Sequence, residues 1–243
     1  MIQKISVNGK NITLIGTAHI SHKSKQQVRE TILNEKPEIV AIELDRDRFL
    51  GMTQKNKREI KFSDIFRSKK PFLFMVQYFL AKSQKKIAKN YNIDAGEEML
   101  EAIKCAKEIN AQILLADRDI YITLNKLMKN LTFKDKFKIL FPGRKLKKEL
   151  GNNFVNKLLK EVETDKENSE IINKIMDVFT ENYPKLKKIL IDERDQYIAY
   201  QLQNAPGQNI VAVVGAGHTQ GIIKNLENKN IDIKTILSSK KVI

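Results

Sequence analysis

The chain has 243 residues, of which 42% are hydrophobic and 30% are charged, so it can bury a globular core and is not a disordered protein. Its single cysteine excludes a framework of intramolecular disulfides. No apolar run approaches the roughly 18 residues of a membrane-spanning helix. We expect no signal peptide, because Met1 leads directly into a strand-like pattern.

The net charge of +15 is concentrated in two segments of the chain. Residues 51–93 carry a net charge of +9, residues 126–160 carry another +9, and the remainder of the chain carries −3. Such segments could contact anionic lipid headgroups, nucleic acid or an acidic protein, or they could form a solvated lysine-rich surface. Among these partners we expect an anionic membrane surface rather than nucleic acid.

Short apolar runs that alternate with helical patterns predict an α/β protein. In chain order, the expected elements are strands at 2–7 and 11–16, a helix at about 22–35, a strand at 38–43, a helix from about 97, a strand at 113–117, a helix at about 185–203, a strand at 210–214, a helix at about 219–228 and a last strand at 231–236. The dipeptide Asn8-Gly9 between the first two strands is typical of a tight hairpin turn.

The order of these elements predicts a mostly parallel sheet flanked by helices. The strands lie towards both ends of the chain, and two helical segments at about 51–93 and 120–204 form a large basic insertion. We therefore expect a single domain over residues 1–243. The apolar run at 72–80 predicts a buried helix or an interfacial anchor, and a homo-oligomer could cover it.

Two segments near opposite ends of the chain share one pattern, an apolar run that ends in Gly-x-x-His. The first contains Gly16 and His19, and the second contains Gly215 and His218. Ligands of an open α/β sheet bind outside the carboxyl ends of its strands. Both histidines are therefore predicted at that edge, beside Glu43, which ends the strand at 38–43.

Two imidazoles and one carboxylate, from His19, His218 and Glu43, form a known ligand set for a divalent metal ion such as Zn, Mn or Co. Further ligands or a general base could come from Asp45, Asp117 and Glu193, and anion-binding groups from Arg46, Arg118 and Arg194. Loop contacts to a ligand are expected from Gly16, Thr17, Gly215 and Gly217. The alternative is that the histidines cap their loops and the charged residues form salt bridges.

A dinucleotide cofactor is a further interpretation of the second glycine-containing loop. Gly215, Gly217 and Gly221 follow a predicted strand and precede a predicted helix. Their spacing is one residue longer than the dinucleotide-binding fingerprint, and no acidic residue ends the next predicted strand. We therefore do not expect a dinucleotide. His22, the third histidine, is expected to be exposed rather than to bind a metal ion.

Six motifs are spread over nearly the whole chain: GTAH at 16–19, PEIVAIELDRDRF at 37–49, GEEM at 96–99, ADRD at 116–119, ERD at 193–195 and VGAGHTQG at 214–221. Together, and in this order, they resemble the TraB/PrgY family, whose wider group includes the GumN and Tiki proteins. The resemblance implies an α/β fold with one site built from two Gly-x-x-His motifs and a glutamate.

The resemblance also implies a function. Tiki proteins are metal-dependent proteases that clip secreted signalling proteins, and the PrgY and TraB proteins limit a peptide pheromone by binding or degrading it. By this resemblance His19, Glu43 and His218 bind the metal ion, and Arg118 and Arg194 belong to the site. We expect a metal-dependent peptidase-like hydrolase acting on peptides or protein termini. The alternatives are a protein that sequesters a peptide without turnover and a membrane-associated scaffold.

Many TraB/PrgY proteins also carry transmembrane helices at their carboxyl end. By the resemblance, this chain corresponds to the soluble part of a membrane-anchored protein or to a soluble member of the family.

Overall fold

A computed structural model describes residues 1–17, 22–53, 96–130, 132, 184–228 and 230–238. His19, the apolar run at 72–80 and most of the two basic segments lie outside the described residues. The assignment of these segments as an insertion in a single domain therefore stays a prediction. Within the described ranges, no helix combines the length and apolar character that crossing a bilayer requires.

One five-stranded sheet organises the described residues, in the order β1-β2-β5-β3-β4. β1 is antiparallel to β2, and every other neighbouring pair is parallel. The strands are β1 Ile2–Val7, β2 Lys10–Thr17, β3 Ile39–Ile42, β4 Gln112–Leu115 and β5 Asn209–Gly215. This arrangement confirms the predicted mostly parallel α/β sheet.

Helices connect and flank the strands. They are α1 His22–Glu35, α2 Arg46–Thr53, α3 Glu97–Glu108, α4 Ile120–Asn130, α5 Pro184–Lys187, α6 Glu193–Gln203, α7 Thr219–Leu226 and α8 Ile233–Leu237. A π-helical turn, Lys188–Asp192, joins α5 to α6, and a 3₁₀ turn, Ala216–His218, joins β5 to α7.

The predicted hairpin is confirmed at the amino end of the chain. Asn8 and Gly9 both have positive φ, 50° and 76°, as a two-residue turn with the twist of its strands requires. This turn pairs Ile2 with Ile15 and Val7 with Lys10. β2 is thereby placed next to β5, so that the two glycine-containing strand ends lie side by side.

Apolar residues fill both faces of the sheet, which explains why the inner strands are continuous apolar runs rather than alternating ones. Along β5, Ala212 and Val214 contribute to one core cluster, and Val211 and Val213 contribute to the other. α6 and α7 cover the first face, and α1 and α3 cover the second. With both faces covered, the carboxyl ends of β2, β3, β4 and β5 form one polar edge.

The predicted last strand at 231–236 is wrong, because this segment forms the helix α8. Its Ile-x-Ile alternation suggested a strand, but local capping favours a helix. The Asp232 side chain accepts hydrogen bonds from the backbone N–H of Thr235 (3.1 Å) and from the Thr235 hydroxyl (2.5 Å). Of the three isoleucines in this segment only Ile236 is buried, so one face of a short helix meets the core.

Candidate functional site

Glu43 directly follows β3 and is fixed against the end of β5. Its backbone N–H donates to the Val213 carbonyl (3.1 Å), and its Oε2 accepts the backbone N–H of Gly215 (2.6 Å). The residue is only 5% exposed. The carboxylate is therefore held by backbone geometry at the edge where the sequence predicted it.

Arg194, in the first turn of α6, lies between the ends of three strands. Its Nε and Nη2 donate to the two oxygens of Asp117 (2.9 and 2.8 Å), and Nη2 also donates to Oε1 of Glu43. Its Nη1 donates to the Leu190 carbonyl and lies 3.2 Å from Nε2 of His218. Burial opposes the charge of the guanidinium, but Asp117 and Glu43 outweigh it and raise the pKa of Arg194.

His218 is oriented by Asp195, the residue that follows Arg194. The Nδ1 atom of His218 and Oδ1 of Asp195 lie 2.6 Å apart. Nε2 of His218 lies 3.4 Å from Oε1 of Glu43. A neutral imidazole with its hydrogen on Nδ1 would satisfy both the Asp195 and the Arg194 contacts.

The pKa values of this pair are both raised. Burial raises the pKa of the Asp195 carboxyl to about 6, against the opposing effect of its hydrogen bond to His218. Burial disfavours the charged His218 ring, but the charge of Glu43 and the hydrogen bond with Asp195 outweigh it, so the pKa of His218 is raised. The Asp195 carboxyl thus takes up its proton nearer to neutral pH than an isolated aspartate does.

Two glycines, Gly16 in β2 and Gly221 in α7, permit close approach at this site. A Cβ at position 221 would lie 1.8 Å from Oδ2 of Asp195, so only glycine lets this carboxylate pack against α7. A Cβ at position 16 would lie 2.8 Å from Cγ2 of Thr219. The Thr17 hydroxyl donates to the Val214 carbonyl (3.3 Å), so in this structure it joins two strand ends.

We call the group formed by Glu43, Asp117, Arg194, Asp195 and His218 the edge cluster. It brings together four elements that are distant in sequence, the ends of β3, β4 and β5 and the first turn of α6. Of the predicted site residues, Gly215 also contacts it, whereas Gly217 has open space where a Cβ would lie.

The structure places Arg118 and Glu193 in a separate buried network, which we call the Glu193 network, together with Lys126. Nη1 of Arg118 and Nζ of Lys126 both donate to Oε2 of Glu193 (2.6 and 2.8 Å). Arg118 also donates to the Thr123 hydroxyl and to two backbone carbonyls, and Lys126 donates to two carbonyls near the end of α8. These contacts hold the start of α6 against α4 and α8.

Asp45 and Arg48 extend the edge cluster towards α2. Oδ1 of Asp45 accepts the backbone N–H of Arg48 (2.9 Å), which caps α2. Nη1 of Arg48 donates to Oδ2 of Asp117 (3.0 Å), and its side chain is 44% exposed. Arg46, predicted as a binding residue, is exposed in the first turn of α2.

Sequence reasoning selected neither Asp195, Arg48 nor Lys126 as a site residue. Asp195 and Arg48 lie inside the motifs ERD and PEIVAIELDRDRF, so the signal was present. The sequence did not show that Asp195 contacts His218 or that Arg48 contacts Asp117, because neighbouring charged residues do not reveal their distant partners. Lys126 had no signal, since it is one of many lysines in a basic segment.

The donor atoms of Glu43 and His218 fit a divalent metal ion chemically. A metal-binding histidine usually donates its second ring N–H to a carboxylate, and Asp195 is placed to accept it. The Arg194 guanidinium contacts both Oε1 of Glu43 and Nε2 of His218, so a shared ion requires Arg194 to turn aside. The described residues alone contain no group of three or more ligating side chains, and His19 is not among them.

A protein-family model and several known proteins match this chain over nearly its whole length. The family model described as TraB/PrgY/gumN family matches residues 1–235. An uncharacterized protein of Methanocaldococcus jannaschii is 36% identical over 97% of this chain, which spans 59% of that relative. The TraB domain-containing proteins of Mus musculus and Homo sapiens are each 24% identical over 97% of this chain, which spans 68% of each.

The Glu193 network generates a stability prediction. Glu193→Gln removes the carboxylate that two buried cations share, and breaking a buried ion pair from one side costs about 3–5 kcal/mol. Urea unfolding should therefore show that loss in the free energy of unfolding. Glu227→Gln, at an exposed glutamate just after α7, is the matched control and should stay within about 0.5 kcal/mol of the parent. Equal stability of both variants would contradict the buried network.

The contact between Asp195 and His218 generates a prediction about titration. Because the carboxylate favours the protonated ring, Asp195→Asn should lower the pKa of His218 and shift its protonation midpoint to lower pH. The midpoint can be followed by NMR of the ring resonances, assigned with His218→Gln. An unchanged midpoint in Asp195→Asn would show that the two side chains do not interact in solution.

Proposed function

The chain belongs to the TraB/PrgY/gumN family, and from that premise we propose that it is a metal-dependent peptidase-like hydrolase acting on peptides or protein termini. The observation that carries the proposal is the convergence of Glu43 and His218, with the ring of His218 oriented by Asp195. A metal ligand or a general base needs such orientation, because its lone pair must face the reacting group.

In this proposal Glu43 and His218 hold the ion together with His19. When bound, a divalent ion lowers the pKa of a coordinated water and polarises a peptide carbonyl. Zn, Mn and Co are the candidates that this ligand chemistry allows. His19 enters through its Gly-x-x-His motif alone, because it lies outside the described residues.

The arginines take different roles within the proposal. In the structure all five N–H groups of Arg194 have acceptors or close contacts, and its charge balances Glu43 and Asp117. An ion bound by Glu43 and His218 would replace Arg194 at those two residues and leave its charge beside Asp117. Arg48 is bound to Asp117 on one side and is 44% exposed. It is therefore better placed than the buried Arg118 to bind a substrate carboxylate or a developing oxyanion.

A peptide-binding protein without turnover is the second candidate. The specific observation in its favour is that Arg194 already neutralises Glu43 and contacts Nε2 of His218. A site balanced in this way could bind a peptide without an ion. The homo-oligomer and the anionic membrane surface rest on segments outside the described residues, and both stay predictions.

The hydrolase proposal predicts cleavage of a mixed peptide library by the metal-loaded protein, read by mass spectrometry. Glu43→Gln and His218→Ala should each reduce the cleavage rate by about 100-fold or more, because each removes a ligand or a base. Asp195→Asn should cost about 10- to 100-fold, since it only releases the histidine ring. Circular dichroism checks that each variant is folded.

His22→Ala is the matched control, because His22 also lies in the first histidine segment but is not a proposed ligand. It should cleave at the parental rate. Equal cleavage by the parent, Glu43→Gln and His218→Ala would contradict the hydrolase. Saturable binding of intact peptide without any product would favour the binding protein instead.

A further inference from the structure

Lys126 is a buried cation that lies outside the edge cluster. Its side chain, in α4, is only 1% exposed. Its Nζ donates to Oε2 of Glu193 (2.8 Å) and to the carbonyls of Thr235 and Ile236 (3.0 Å each). All three hydrogens of the ammonium group therefore have acceptors within the described residues. Lys126 is thus complete without a ligand, and it acts on the groups that it binds.

Neutralising Glu193 does not account for this lysine. Arg118 is buried and also donates to Oε2 of Glu193 (2.6 Å), so the carboxylate already has one paired cation. A second buried cation adds a further desolvation cost, which a well-packed apolar side chain at position 126 would avoid. What the ammonium group adds is a fixed geometry, because it joins acceptors from two different helices, α6 and α8.

The bond between Lys126 and α8 anchors the network at its outer side. α8 has five residues, and of these only Ile236 is buried. The carbonyls that Lys126 binds belong to the last four of this helix, which have no partners within the helix itself. Lys126 thus ties the carboxyl end of α8 to the side chain at the start of α6.

The first turn of α6 carries this geometry to the edge cluster. Glu193 directly precedes Arg194, which donates to both oxygens of Asp117 (2.9 and 2.8 Å). Asp195 comes next, and its Oδ1 lies 2.6 Å from Nδ1 of His218. Hydrogen bonds weaken steeply with distance and angle, so a shift of about 1 Å in this turn would disrupt these contacts.

Lys126 reaches the edge cluster by a single route, unlike Arg118. The backbone N–H of Arg118 donates to Oδ1 of Asp117 (2.7 Å), and its side chain also binds the Ile189 carbonyl in the π-helical turn. A change at Arg118 would therefore disturb the cluster in several ways. Among the described residues, Lys126 is linked to the cluster through Glu193, so a change at Lys126 tests that link alone.

We propose that Lys126 is a positioning residue for the edge cluster. By binding Glu193 and the last carbonyls of α8 together, it sets where the first turn of α6 lies and so holds Arg194 in place. The inference goes beyond the proposed function, because the position of Arg194 matters whether the site cleaves a peptide or only binds one.

The test follows the Nε–H group of Arg194 by ¹H–¹⁵N NMR, because this group donates to Asp117 and reports its own position. Its signal is assigned by its absence from the spectrum of Arg194→Lys. Lys126→Met keeps the length of the side chain and removes the ammonium group. It should shift the Arg194 signal and make its hydrogen exchange about tenfold or more faster, since a loosened contact opens more often.

Cleavage of the mixed peptide library by the metal-loaded protein is the second measurement. A misplacement of about 1 Å can lower a rate about 100-fold, so Lys126→Met should lose about 10- to 100-fold in cleavage rate. Lys126→Gln keeps a donor for Glu193 without the charge and should show a smaller loss. This second variant also guards against a folding defect of the first.

Ile32→Ala is the matched control for lost stability. Ile32 is fully buried in the last turn of α1, which ends just before β3 begins, so it lies towards the amino ends of the strands and away from the edge cluster. Urea unfolding measures the stability that each variant loses. Ile32→Ala should be destabilised as Lys126→Met is, yet keep the parental Arg194 signal and the parental cleavage rate.

Three outcomes would overturn the inference. They are an Arg194 signal that Lys126→Met leaves unchanged, an equal shift of that signal in Ile32→Ala, and loss of the fold in both Lys126 variants. The last two would make Lys126 a residue that stabilises the core without positioning the cluster.

The inference and the proposed function can fail separately. A response of the Arg194 signal to Lys126→Met, in a protein that cleaves no peptide, would keep the positioning role and reject the hydrolase. Cleavage at the same rate by the parent and Lys126→Met, with an unchanged Arg194 signal, would keep the hydrolase and reject the positioning role.

Discussion

The polar edge of this protein depends on one positive charge, the guanidinium of Arg194, whose side chain is 17% exposed. Glu43 and Asp117 end two neighbouring strands, and two carboxylates this close to each other would repel without a cation between them. Arg194 supplies that cation and also contacts His218, which follows β5. The sheet brings the Glu43 and Asp117 carboxylates close together, and the charge of Arg194 offsets the repulsion between them.

Three consecutive residues at the start of α6 fix the position of this charge. Glu193 binds two buried cations, Arg194 enters the edge cluster and Asp195 orients His218. Successive residues of a helix point about 100° apart, so one turn can serve three sites. The Glu193 network fixes the rotation of the helix, and a change there would move the other two side chains.

The π-helical turn before α6 contributes acceptors to both groups. The carbonyl of Ile189 accepts a bond from Arg118 (2.9 Å), and that of Leu190 accepts one from Arg194 (3.2 Å). Such turns are rare and often occur at functional sites. Here the turn links the buried network to the edge cluster through neighbouring backbone atoms.

The sheet and one half of the site could be predicted from the sequence. Apolar runs and the hairpin dipeptide defined the strands, and the rule for strand ends placed Glu43 near His218. The pairing of charges could not be predicted, because it depends on contacts between residues far apart in the chain. Arg118 and Arg194 looked equivalent in the sequence, yet one lies in the Glu193 network and the other in the edge cluster.

The error at 231–236 has the same origin. The alternation of isoleucines fitted a strand, while the helix depends on capping by Asp232 and on carbonyl contacts from Arg118 and Lys126. Those two cations come from a distant part of the chain. His19 stays a prediction, so one ligand of the proposed metal site rests on the repeated Gly-x-x-His motif alone.

The most direct test of the account is the metal content of the protein, measured by elemental mass spectrometry after purification without chelators or a histidine tag. Manganese, cobalt and zinc are offered in turn to the parent and to the His19→Ala/His218→Ala double variant. The account predicts one divalent ion per chain in the parent and its loss in the double variant. No bound ion in the parent, or equal content in both proteins, would contradict it.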